Sequence, residues 1–202
     1  MDKDLSTEQK ILGAAKKVFI RKGFAAARMQ EIADEAGINK ALLHYYFRSK
    51  DKLFEKIFEV AFAMIFPRLV DLLKNDIPIK EKITLFYRNY VDMLKDNPYL
   101  PVFILNEINQ NPERLSFYFS KYINSNNIQI LQNQINQEVE SGIINYISAK
   151  QLIVNIISLA IFPFAGKPLL MLQLKMDEQE FDEFIEQRKR IIPEMLWKGI
   201  KA

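Results

Sequence analysis

Apolar residues recur along this chain at the three-to-four spacing of a helix face, and capping residues stand where each stripe begins. Ser6-Thr7-Glu8-Gln9 reads as a capping box. Ile11, Ala15, Val18 and Phe19 then form one stripe that ends at Gly23. Ile32, Ala33 and Ala36 share the face of a second, short helix. Gly37 stands where that helix needs a left-handed residue to stop. Asn39 is placed to cap a third helix, with Leu43 and Phe47 on its inner side and Lys40, Ala41, His44 and Tyr45 on its outer side. Ser49 opens a long fourth stripe through Leu53, Phe54, Ile57, Phe58, Ala61, Met64 and Ile65, and Pro67 predicts a kink or break in it.

Further on, Ile79 to Leu94 reads as a helix stopped by Asp96-Asn97-Pro98. Leu100 to Gln110 reads as a short one, and Asn111-Pro112-Glu113 opens another that runs towards Gly142, loosened at the polar residues 124–127. Gln132, Asn133, Gln134, Asn136 and Gln137 read as solvated, as do the acidic pairs Asp34-Glu35 and Glu138-Glu140. Ser148 to Gln151 is a second capping box. The stretch from Leu152 to Phe162 is apolar nearly all round, so it needs cover on every side. Asp177 to Glu180 opens a last helix showing Phe181, Phe184, Ile185, Ile192, Met195, Leu196 and Gly199, with a bend predicted at Pro193. The pattern predicts an all-α chain of about nine helices.

The 202 residues are 49% apolar, enough for one large or two small cores. With no Cys, disulfides, thiol catalysis and thiolate metal sites are excluded. One His, no Gly-rich phosphate loop and no His-Glu metal spacing leave no catalytic or metal residues to nominate, and no cofactor is expected. The charged N-terminal MDKDLSTEQK does not read as a signal peptide. Leu152 to Leu174 is interrupted by Pro163, Gly166, Lys167 and Pro168 and does not read as a membrane span. Net charge is +3, and residues 1–54 carry more than all of it, with eleven Lys or Arg against seven Asp or Glu. That basic excess coincides with the short-helix pair, whose second member suits insertion into a DNA major groove.

Gly23-Phe24, Ile32-Ala33, Ala36-Gly37-Ile38, Lys40, Leu43, Tyr46-Phe47 and Ser49-Lys50-Asp51-Lys52-Leu53 stand in an order and spacing that resembles the helix-turn-helix of the TetR family of bacterial transcriptional regulators. Ala27-Arg28, Asn39, Ala41 and His44 depart from the family's usual residues. The resemblance implies a helix-turn-helix DNA-binding domain over 1–48 and a helical ligand-binding and dimerisation domain over 49–202. It implies a cytoplasmic, non-enzymatic regulator, a ligand-responsive repressor that binds a palindromic operator as a homodimer. The alternative is an architectural or partner-regulated DNA-binding protein without a small-molecule ligand. A membrane partner is not expected.

Arg28, Asn39, Lys40, Ala41, Leu42, His44, Tyr45, Tyr46 and Lys50 are the candidate DNA contacts. Lys40 and Lys50 would meet phosphate, and Ala41 and Leu42 a thymine methyl. Phe58, Phe62, Phe66, Phe86, Tyr90, Met93, Phe103, Phe117, Tyr118 and Phe162 read one by one as core and together as the lining of an apolar effector cavity, and Glu107 either meets a cationic ligand there or faces solvent. The dimer would form through the last two long helices, with Ile156 and Leu196 at the contact.

Overall fold

The computed structural model describes residues 6–98, 100–102, 104–105, 112–113, 116, 120 and 125–202. Side chains at 61, 62, 64–66, 68 and 69 are outside the description. The fold is all-α, and its only extended pairing among the described residues is one antiparallel bridge, Ile144 with Lys201. Two compact units divide at Met64/Ile65.

The first unit holds α1 (Thr7–Ala26), α2 (Met29–Ala36), α3 (Lys40–Tyr46) and the first part of α4 (Lys50–Lys74). The Ser6–Gln9 capping box forms in full. Gly23 breaks the helical path at φ 74°, ψ 162°, and a short turn carries α1 on to Ala26. Only glycine enters that region without strain. Gly37 ends α2 in the left-handed conformation, its N–H returning to the last turn. Asn39 caps α3 by accepting from the Leu42 N–H at 2.7 Å, and Ser49 caps α4 by accepting from Lys52 N–H. The core closes over Ile11, Val18, Ile32, Leu43, Leu53 and Ile57, each without solvent exposure. Burying each such aliphatic side chain stabilises by roughly 1.5–3 kcal/mol. Phe19, Phe24 and Phe54 meet ring to ring at 4.9–5.6 Å.

α4 continues through Pro67, so of the kink or break expected there the break does not occur. The second unit then adds α5 (Ile79–Asp96), α6 (Ser125–Glu140), α7 (Ala149–Ala165), α8 (Lys167–Leu174) and α9 (Glu178–Ile200). α8 lies where the sequence suggested only an interruption. Pro168 falls at its start, where a missing N–H costs nothing. The α7 and α9 starts follow their caps, with Ser148 accepting from Gln151 N–H and Asp177 forming a full box with Glu180. Ile79, Ile83, Tyr87, Leu94, Leu131, Ile135, Phe181 and Ile185 form the core of this unit, none more than 2% exposed.

Several polar residues read as solvated are fasteners instead. Gln132 accepts from Ala149 N–H, Gln134 donates to Ile77 O, and Glu138 accepts from Ile79 N–H at 2.8 Å. All three satisfy backbone groups at helix ends and connections, which burial makes costly to leave unpaired. The last residues are tied down by Asn145 N–H to Ile200 O and Ala202 N–H to Ile143 O.

Candidate nucleic-acid interface

α3 is only seven residues long, and its two faces separate sharply. Leu43 and Phe47 sink into the unit, at 0% and 7% exposure. Lys40, Ala41, Leu42, Tyr45 and Tyr46 face outward, with Tyr45 81% exposed. The Tyr45 and Tyr46 rings meet edge to face at 5.6 Å. Asn39 is exposed, but its side-chain oxygen is taken by the cap. Arg28 is exposed just before α2, where its backbone N–H donates to Glu31. His44 is half-buried, and its Nδ1 lies 3.3 Å from Arg48 O. That contact fixes the ring at the end of α3.

Lys50 departs from the expectation. Its Nζ donates to Phe24 O at 2.7 Å, Ala25 O at 3.1 Å and Ala27 O at 3.1 Å, and sits 4.6 Å from the Phe24 ring centroid. An ammonium has three N–H donors, and here all three are taken. The phosphate contact expected of Lys50 is therefore corrected: its charge is turned inward onto carbonyls that the break at Gly23 leaves open.

Elsewhere in the unit, bases pair with acids on α2. Lys17 and Arg21 reach Glu35, and Lys22 reaches Glu31 at 2.6 Å. The Lys22 ammonium holds the Glu31 carboxyl below its ordinary value. The basic excess of the segment is thus partly spent beside α2. Lys40 has no ion pair among the described residues.

The expected effector residues are only partly gathered. Phe103, Glu107, Phe117 and Tyr118, and the side chains of Phe62 and Phe66, lie outside the described residues. Phe58 is buried in the first unit, beside Phe54 at 6.4 Å. Phe162 is 58% exposed on α7, so its placement in a cavity is corrected to the outer surface. Phe86, Tyr90 and Met93 are buried on α5, and burial raises the Tyr90 hydroxyl pKa.

A small apolar pocket in the second unit takes in Phe86, together with Leu72, Ile83, Leu131, Leu152 and Ile156. Lys82 lines it too, a residue the sequence reading passed over. Lys82 is 4% exposed, and its Nζ donates to Leu73 O at 2.7 Å, near the end of α4. Burial lowers its pKa, against the opposing charges of Asp76 and Glu138. Its place one turn into α5, amid apolar positions, was the available signal. Ile156, expected at the dimer contact, is instead 4% exposed and part of this pocket wall.

A buried inner stripe, a left-handed glycine between two short helices and an outward aromatic and basic face make up a helix-turn-helix of the DNA-reading type. Residues 11–57 match the family model described as bacterial regulatory proteins, tetR family. By this segment the chain is similar to the TetR family of bacterial regulators. It is 42% identical over 57 residues to the HTH-type transcriptional repressor NicS of Pseudomonas putida, a match that covers 28% of this chain and only 27% of that relative. The solved structure of HlyIIR, a hemolysin II transcriptional regulator, superposes with a TM-score of 0.64 over 97% of both chains at 23% identity. FadR of Bacillus subtilis, solved in complex with stearoyl-CoA, gives 0.64 at 18% identity, over 94% of this chain and 97% of that one. At these identities the two structures speak for the fold.

Among the described residues, no single helix is long and apolar enough to cross a membrane, although α7 and α8 pass that test together as a pair bent by 71°.

Proposed function

We propose that the protein is a sequence-specific DNA-binding transcriptional regulator, a repressor that binds a near-palindromic operator as a homodimer. The observation that carries this is the outward face of α3, with Lys40, Ala41, Leu42, Tyr45 and Tyr46 presented on a helix anchored by Leu43 and Phe47. Its size and chemistry suit a major groove: Lys40 for phosphate, the tyrosine hydroxyls for phosphate or sugar, Ala41 and Leu42 for a thymine methyl. Arg28 adds a second charged contact at the start of α2. The role is binding rather than catalysis, in the cytoplasm. We assign reading to residues 1–48 and dimerisation with effector binding to 49–202.

For the dimer, α7 and α9 supply Val154, Phe162, Ile191 and Met195, each 47–59% exposed. An apolar surface of that kind suits a second copy. The effector is an apolar small molecule taken up by the second unit, where the small pocket beside Phe86 and Lys82 would have to widen to admit it. It relieves repression by preferring a state in which α4 is displaced, since equal affinity for both states shifts nothing. The likeness to FadR, seen with stearoyl-CoA, supports a ligand that carries an apolar chain.

The test is fluorescence anisotropy on the protein's own upstream DNA, across a salt series and against scrambled duplex. Tight, selective, steeply salt-dependent binding by two subunits is expected. Binding without selectivity, or none at low salt, would overturn the reading.

A further inference from the structure

We infer that Lys50 is a positioning residue that locks the first turn of α4 onto the α1–α2 junction, and that it sets the DNA-reading unit without touching DNA. The inference rests on the DNA-binding reading above. Gly23 leaves the helical path, and the turn after it exposes the carbonyls of Phe24, Ala25 and Ala27 with no following helical N–H groups to take them all. Lys50 Nζ converges on all three, at 2.7, 3.1 and 3.1 Å. The Phe24 ring, 4.6 Å away, lies against the same ammonium and joins the cluster of Phe19 and Phe54. Ala27 is 3% exposed, and Arg28 directly after it is the cap residue of α2. A shift of α4's first turn therefore pulls on the residues that start α2. A compact, rotatable ammonium can meet three converging acceptors; the planar guanidinium of arginine cannot.

The first measurement needs neither DNA nor a variant. In the free protein, reductive methylation read by mass spectrometry should modify Lys40 rapidly and Lys50 at least about tenfold more slowly, because a lysine held by three acceptors is not free to react. Equal rates would overturn the inference, whatever the fate of the DNA-binding reading.

The second measurement uses Lys50→Met and Lys50→Arg on the operator, at a temperature where melting curves show both variants folded. Both should lose affinity by about tenfold or more, with the salt slope unchanged, and both should show faster amide exchange confined to residues 24–28. A phosphate-contacting Lys50 would behave differently: Lys50→Met would lower the slope by about one, and Lys50→Arg would keep both slope and affinity. That result would overturn the inference. Unselective DNA binding by the wild type, with Lys50 still protected, would refute the operator reading alone.

Discussion

Among the described residues of 1–64, several charged side chains pair along the outside of α1 and α2, as Lys17 and Arg21 do with Glu35 and Lys22 with Glu31. Among the described residues of 65–202, surface pairs such as Lys95 with Glu186 stand beside side chains that reach backbone far along the chain. Gln132, Gln134 and Glu138 fasten connections, Lys82 meets Leu73 O, and Arg188 donates to Leu159 O at 3.0 Å. The contrast follows from what each unit must close. Short helices joined by caps and a left-handed glycine satisfy most of their own ends, so charge can stay in water. A larger helical unit buries its connections, and a buried N–H or C=O needs a partner from elsewhere. Lys50 is the exception in the first unit, and it stands at the one place where a helix there breaks inside the fold.

The largest effect should come from the same deletion made in each core. Ile32→Ala and Ile135→Ala each remove a side chain with no exposure, at about 2–5 kcal/mol. Calorimetry with operator titration should show Ile32→Ala lowering DNA affinity, and Ile135→Ala weakening the second unit while cold operator binding survives. Equal loss of binding in both would break the comparison.

Surface charge gives the next contrast. Phe162→Glu should yield monomers by light scattering with an intact helical spectrum, whereas Lys40→Ala should leave the dimer whole and lower the operator salt slope by about one. A fully dimeric Phe162→Glu would remove α7 from the interface.

Two left-handed caps sharpen the comparison further. Gly37 sits at φ 67° and Lys175, after α8, at φ 54°. Gly37→Ala has open space around its new Cβ, so the cost is backbone strain alone, about 1–2 kcal/mol. Lys175→Gly relieves the corresponding strain and should raise stability by up to about 1 kcal/mol. Thermal melts that move the same way for both would contradict the assignment.

The smallest effect is one of pH. Lys95 and Lys189 hold the Glu186 carboxyl below its ordinary 4.5. Its contribution is present above that value and is lost as pH falls through the lowered one. Glu186→Gln should therefore flatten the acid side of the stability curve, modestly, because the side chain is 49% exposed. An unchanged acid limb would show that water screens the pair.

Element starts and stops were legible because capping is local. Ser6, Gly37, Asn39, Ser49, Ser148 and Asp177 mark boundaries through bonds to residues three or four away. The two faces of α3 were legible for the same reason, since seven residues of helix leave little choice of inner side. What required the tertiary structure was where long side chains end. Nothing in the spacing of Lys50 distinguishes a phosphate contact from a cap on carbonyls 23 to 26 residues earlier in the chain. Nor does spacing tell a solvated Glu138 from one that holds Ile79, 59 residues away. Phe162 and Ile156 were misassigned likewise, because a helix apolar all round does not say which side its own unit will cover. Local hydrogen bonding and hydrophobic period determined the helices and the reading motif. Long-range packing alone decided which lysine faces outward and which phenylalanine remains exposed, because those choices depend on neighbours distant in sequence.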